Sequence, residues 1–487
     1  MVFVAVIIVG LLSSISFGYP GGADDPNNSY QIATAGDLNI NTAAVIASDT
    51  PGSVALTDAQ QEQTPETRPD LTGIVQTMDG KPVPATVFIY TAGPKVGIST
   101  FCPSCYVDCQ KNAKADAEGN FKIKSLDSKL IFRILAVAKG YKPRFVSEVD
   151  PAKGPVKIFL DPIELAAVPP GNCLHGRVVD QNDKPIVGAV VEAYFIRTSD
   201  GGGLGGHLPG VDPLAVTDEK GEFLITSLKP FEMMDVRVNA RTYANKIFTK
   251  LASGNKKHQL VLTEGAAIIG RVLFNGQPLK NISVGVVSVD RTPRNFTGHF
   301  DVGTDAKGRF LLANLPPNVD YYIYGSMDTL KPYGAIPVQK IHSGKDGDVT
   351  DVGSLAVVPG HRLAGRVVLA DGGTLPPETR LLVGRVDAWD SIQVILAADG
   401  SFEVTAIPTE ALSFSVRVPG YRVSAMNASL DTMNPSALVG RVDGDVNNLT
   451  FLLEKGDQLS PDYNIPPEPE WPRNRPLHGT EMQPAER

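Results

Sequence analysis

The residues most able to do chemistry in this sequence are three close cysteines, Cys102, Cys105 and Cys109, in the run STFCPSCYVDCQK. Cys173 is the fourth and last. Three neighbouring thiolates plus Cys173, or a histidine, meet the four-ligand requirement of a structural zinc site. Covalent haem attachment is excluded, because Tyr106 stands where a C-x-x-C-H motif needs its histidine. An even cysteine count in an exported chain points to disulfides, and four cysteines admit three pairings. One bridge would close the loop and the other would tie it to the next domain. Disulfides are the expectation for all four cysteines, with metal binding, redox chemistry or lipid attachment as the alternatives.

The other chemical motifs lack their structural context. His478-Gly-Thr-Glu481 matches a zinc-ligand spacing, but it lies in a Pro-rich tail with no histidine downstream. Gly201 to Gly206 satisfies G-x-G-x-x-G, yet HLPGVDP follows and cannot open the helix that holds a pyrophosphate. No nucleophile elbow or P-loop is present. Asp346-Gly-Asp348 and Asp443-Gly-Asp445 read as turns, since neither completes a calcium loop. Sequons at Asn281, Asn295, Asn427 and Asn448 matter only in a glycosylating host. The expectation is a non-enzyme with no catalytic residue, no metal and no cofactor.

Composition narrows the setting. The formal net charge is −8, with 45 basic against 53 acidic residues and no basic run. Nucleic acid is therefore not an expected partner. Val2 to Leu12 is an apolar run followed by small residues up to Gly18. It reads as a signal peptide over 1–18 or as an uncleaved anchor, although it is short for a span and no basic residue precedes it. Either reading puts the rest of the chain in the cell envelope or outside the cell, and the anchor would be its only membrane contact. Residues 19–69 read as a polar linker, and 455–487, rich in Pro and charge, as a disordered tail.

The elements that must position any site come from an internal repeat. LTGIVQTMDGKPVP, LHGRVVDQNDKPIVGA, IIGRVLFNGQPLKN and LAGRVVLADGGTLP open four segments, their glycines being Gly73, Gly176, Gly270 and Gly365. A second landmark, DAEGNFKI, DEKGEFLI, DAKGRFLL and AADGSFEV, keeps step at Gly119, Gly221, Gly308 and Gly400. The first landmark fits a strand running into a turn. In the second, Asp bonds the backbone ahead of it, Gly supplies a positive φ, and Phe starts an alternating strand. Further apolar strands close each segment, and none shows a sustained helical period. A repeat of about 90–100 residues matches a whole sandwich domain rather than a solenoid unit.

These landmarks resemble the carboxypeptidase regulatory-like domain. The second repeat carries most of the pattern: Gly176, Asp180, Pro185, Gly188, Ala189, Thr217, Asp218, Gly221, Phe223 and Tyr243. The first repeat has Pro84 and Ala85 in place of the Gly-Ala step, the fourth has Ala397 in place of Asp, and the third lacks the Gly-Tyr ending. The resemblance runs from about Asp70 to Leu453. It implies transthyretin-like, starch-binding-like folds, which in that family often accompany a catalytic or transport domain. The expectation is an all-β chain of four tandem seven-stranded antiparallel β-sandwiches over 70–163, 172–263, 266–357 and 361–454.

Aligning the repeats puts the cysteine loop, the Gly-rich loop, DRTPRNFTGHF and DAWDS at equivalent connections. Their aromatic residues, Phe101, Tyr106, Phe296, Phe300 and Trp389, are the ligand-binding candidates, because ring faces offer large contact area to sugars. The alternative is that they cap the core beneath each loop. The functional expectation is an exported scaffold or binding module facing polysaccharide or another envelope protein. A metal or redox protein built on the cysteine loop, or a regulatory subunit of a separate enzyme, is the alternative.

Overall fold

The computed structural model describes residues 68–97, 99, 106–163, 168–197, 203–205, 208, 210–292, 296–424, 431–434 and 437–456. The expected leader, most of the linker and the tail from 457 lie outside them, as do Phe101, Cys102, Cys105, Asn295, Asn427 and the His478–Glu481 motif. The described chain is all-β, in four consecutive β-sandwiches with a hydrophobic core each.

The first sandwich shows the plan. Leu71–Gln76 lies between Asn120–Ile123 and Val156–Phe159, while Thr86–Pro94, Leu130–Val137, Asn112–Lys114 and Arg144–Val149 make the opposing sheet. Leu71, Val75, Val87, Ile89, Phe132 and Ile158 fill the space between. They alternate with outward residues along their strands, which is why the period-two pattern was legible.

Both sequence landmarks have a common geometry. Gly119, Gly221, Gly308 and Gly400 take φ between 69° and 83°, and a Cβ on each would meet the carbonyl oxygen of Val75, Val178, Val272 or Val367 at 2.3–2.6 Å. Asp116, Asp218 and Asp305 each accept a hydrogen bond from the backbone N–H four residues on, at 2.7–2.8 Å. Where the fourth repeat has Ala397, Asp399 takes over and accepts the Ser401 N–H at 3.0 Å. The opening glycine pairs across the sheet with the hairpin phenylalanine in every sandwich: Gly73 with Phe121, Gly176 with Phe223, Gly270 with Phe310, and Gly365 with Phe402.

Two details differ from the expectation. The described strands number seven, eight, eight and nine, because the later sandwiches add short strands such as Gly203–Gly205, Gln277–Pro278 and Asp431–Asn434. Each sandwich also has one parallel pair, since its last strand returns beside its first: Leu71–Gln76 with Val156–Phe159 and its three counterparts. Among the described residues no helix is long and apolar enough to cross a membrane.

Candidate functional site at the sandwich junctions

The DAWDS loop does not project into solvent. It joins Arg380–Arg385 to Ser391–Ile395 in the fourth sandwich and is seated on the outer face of the third. Trp389 is half-buried, with its ring 5.1 Å from Phe296 and stacked on His299 at 5.4 Å. Val287, Tyr322, Tyr324, Val338 and Ala388 complete this apolar cluster, and Tyr324 Oη donates to the Trp389 carbonyl at 3.1 Å. Stacking with its neighbours occupies the ring on which sugar binding had been expected to depend.

Beside the cluster lies Arg385, at the end of an apolar strand and fully buried. A guanidinium has five N–H donors, and all five are used. Nε donates to Glu410 Oε1 at 2.5 Å, and Nη2 to Glu410 Oε2 and the Ile336 carbonyl, both at 3.0 Å. Nη1 donates to the Gly325 carbonyl at 2.8 Å and to Asp390 Oδ2 at 3.2 Å. The carboxylates belong to the fourth sandwich and the carbonyls to the third. Backbone donors of the third return the contact: Met327 N–H to Asp390 Oδ2 at 2.9 Å and Val338 N–H to Glu410 Oε2 at 3.2 Å. Arg291 adds a bond to the Val386 carbonyl at 2.9 Å.

Burial dominates the electrostatics here. It works against the charge of Arg385, but Glu410 and Asp390 outweigh it and hold the guanidinium cationic. Burial raises the Asp390 carboxyl despite Arg385 beside it. Asp301, on the facing strand of the third sandwich, is pushed up to about 6 by burial, with Asp390 adding to the shift. His299 is pushed down to about 4 by burial alone. Such shifts also mark catalytic sites. Here the groups are covered by a second sandwich and face backbone and rings, so the arrangement holds two domains together.

The remaining candidates separate. Phe300 is buried in the third core, and Phe296 is part of the junction. Tyr106 packs on the first core, where burial raises its phenol, and it borders a cleft of ≈ 500 Å³. First-sandwich residues including Asp108 and Lys129 line one side of this cleft, and Glu378, Arg380 and Gln393 of the fourth line the other. Cys109 and Cys173 are both buried thiols, with no disulfide between them. Cys109 lies in the first core, where burial pushes its thiol up to about 12. Cys173 opens a strand of the second sandwich with Sγ directed at the Pro170 carbonyl, 3.6 Å away. Raised thiols are poor nucleophiles and poor metal ligands. Among the described residues no group of three or more His, Cys, Asp or Glu is placed to hold a metal.

The first and second sandwiches meet differently. Phe88, Leu135 and Val137 of the first pack on Leu214 of the second, with Tyr90, Phe145, Val190 and Val216 around them. Lys139 at the edge pairs with Asp218 and, at 3.5 Å, with Glu222.

Sequence reasoning singled out Trp389 but missed Arg385 and Glu410. The available signal was a charged residue closing the apolar run RLLVGR, which a solvated strand end would equally explain.

No family model matches the sequence, and neither does any curated protein. Among solved structures, the chain is similar to a streptococcal ancillary pilin at 12% identity, covering 60% of this chain and 99% of that one, with a TM-score of 0.21. It is also similar to the Bacillus anthracis TIE protein, at 11% identity over 79% and 73% of the two chains, TM-score 0.17. A third is BcpA, the major pilin subunit of Bacillus cereus, at 11% identity over 60% and 100%, TM-score 0.16. Superpositions this loose carry no argument about function or assembly.

Proposed function

We propose that this protein is a non-catalytic, extracytoplasmic scaffold whose sandwiches are joined in pairs, first to second and third to fourth, by packed junctions. The observation that carries the reading is the third–fourth junction. The loop with the best candidate for open ligand binding spends Trp389 and Asp390, together with Arg385, on gripping the neighbouring sandwich. The apolar N-terminal run supports export. The repeat landmarks support grouping the sandwiches with carboxypeptidase regulatory-like domains, which often accompany a catalytic or transport domain. A partner in the envelope fits a scaffold better than a polysaccharide, because the Trp389 ring is already stacked on His299 and packed beside Phe296.

The test is fractionation of cells expressing the full chain, followed by limited proteolysis of the released protein. A scaffold of this kind is recovered outside the cytoplasm, with the stretch from about residue 68 to 456 resisting cleavage at its short connections. Recovery in the cytoplasm, or rapid cutting between the third and fourth sandwiches, refutes it.

A further inference from the structure

Three connections join the four sandwiches, and they differ in what holds them. The first–second junction is an apolar cluster. The third–fourth junction combines an apolar cluster with a guanidinium whose five donors are shared between the two domains. At the second–third connection, Asn314 Nδ2 donates to the carbonyls of Thr242 at 2.9 Å and Glu264 at 2.8 Å, and Asn245 donates to the Thr297 carbonyl. Gln181 Nε2 reaches Asp346 at 3.1 Å, and the other oxygen of that carboxylate accepts the Gly265 N–H at 2.9 Å. These contacts are polar; the bonds of Asn314 and Gln181 are exposed, while Asn245 is buried. Among the described residues no apolar cluster includes side chains of both the second and third sandwiches.

The energetics follow from that contrast. A side-chain amide bond beside water is worth about 1 kcal/mol net, because water replaces it when it opens. Separating an apolar junction, or stranding a buried guanidinium, costs several times more. The connection itself is three residues, 263–265, between Lys257–Val261 with its flanking Leu262 and Ala266–Phe274. Gly265 has φ 83°, and a Cβ there would stand 2.7 Å from Ala244 Cβ and 2.4 Å from the Leu315 carbonyl. It is a close-packed point about which the rest can turn.

The cleft between the first and fourth sandwiches lies where such a rotation would be felt. Several of its charges have partners on their own side. Arg68 pairs with Asp108 at 2.7 Å and Lys95 with Asp150 at 2.6 Å on the first sandwich, and Arg380 reaches Gln393 at 3.3 Å on the fourth. Parting the two sides leaves those charges partnered, so opening carries no penalty from them.

We propose that the chain is a hinged clamp. The first and second sandwiches move as one body and the third and fourth as another; the segment around Gly265 is the pivot, and the first–fourth cleft is the mouth. Hinges of this type need only a few residues at element ends to absorb the rotation.

The test uses the full chain with spin labels on genetically encoded azide residues, which leaves the cysteines untouched. One pair of labels, at Val96 and Glu378 on the two walls of the cleft, spans the mouth; a control pair, at Lys307 and Thr374, lies within the third–fourth body. Pulsed dipolar distances are measured in the parent and in the Asn314→Ala, Asp346→Ala double variant. The clamp requires the mouth distribution to broaden, roughly twofold, and shift to longer distances in the variant, while the control stays narrow. Should the double variant fail to fold, Gln181→Ala at the surface must give the same direction with a smaller shift. A mouth distance that is narrow and unchanged in the folded variant overturns the hinge, and a control that broadens equally overturns the two-body division. Either result would leave the scaffold reading standing.

Discussion

The first–second and third–fourth junctions solve one problem with different chemistry. Each covers the outer face of a sheet in one sandwich with residues from the next. The first uses Phe88, Leu135, Val137 and Leu214, with Lys139 paired to Asp218 at its edge. Arg133 is buried beside them, over the Phe145 ring at 4.0 Å. The third–fourth junction places Arg385 inside, with Glu410 and Asp390. An apolar junction weakens in proportion to the area removed, whereas a buried ion network fails abruptly when one member leaves, because the remaining charges lose their partners.

The largest expected effect follows directly. Arg385→Ala strands two carboxylates and two carbonyls of the junction, and should lower the stability of the third–fourth unit by about 3–5 kcal/mol. Calorimetry on the full chain would read this as a lower transition for that unit. A loss below about 1 kcal/mol would mean that water fills the site and the network is not dry. Combining Arg385→Met with Glu410→Gln and Asp390→Asn removes every charge of the network and should recover much of the loss.

Leu135→Ala probes the apolar junction and should cost about 2–3 kcal/mol, within the range for a buried leucine. The two sites lie in different junctions, so a double variant with Arg385→Ala should show additive losses to within about 0.5 kcal/mol. Clear non-additivity in denaturation midpoints would show that the junctions communicate, and would break the comparison.

The contrast also marks what the sequence could disclose. Gly73 and Phe121 were each visible as landmarks, because a glycine before an apolar run and a D-x-x-G-x-F hairpin are local patterns. Their pairing across the sheet was not visible, since register joins residues 48 positions apart. The substitution of Asp399 for the missing Asp at position 397 was likewise beyond motif matching, although both residues lie in one turn. In the sequence Trp389 stands between Asp387 and Asp390, a setting that suits a solvated loop. Asp390 is in fact turned inward onto Arg385 and the Met327 N–H. Nothing local distinguishes an inward Asp in a loop from a solvated one. The difference lies in a neighbouring domain, and no period or spacing carries that information.

Trp389→Ala should cost less than either change above, about 2 kcal/mol, because the ring is half-buried and its backbone carbonyl still accepts from Tyr324. The fluorescence of this tryptophan should resist iodide quenching in the native chain, with Trp471→Phe removing the other indole from the signal. Ready quenching would return the ring to solvent and revive it as a binding platform.

The smallest expected effect is a pH dependence that nearly vanishes in the parent. Asp301 rises from 3.8 to about 6 on folding, so its contribution is present in full below about 3.8 and is lost as pH climbs through 6. His299 falls from 6.5 to about 4, so the folded state prefers it neutral, and stability is lost as pH drops from 6.5 through 4. The two slopes oppose each other over nearly the same window, two residues apart on one strand that faces the fourth sandwich. Between pH 4 and 6.5 the parent junction should therefore be almost flat. His299→Phe should unmask a junction that gains stability on acidification, and Asp301→Asn one that loses it. The surrounding groups, Arg385, Arg291, Asp390, Glu410, Asp387, Tyr322 and Tyr324, are the same in both variants, so the difference in slope isolates the pair. The apolar first–second junction supplies the control: its Tyr90 phenol is pushed up to about 12 by burial, outside this window. If both variants kept the parent's flat profile in unfolding midpoints measured from pH 4 to 7, the third–fourth junction would titrate like the first–second one, and the distinction between them would rest on Arg385 alone.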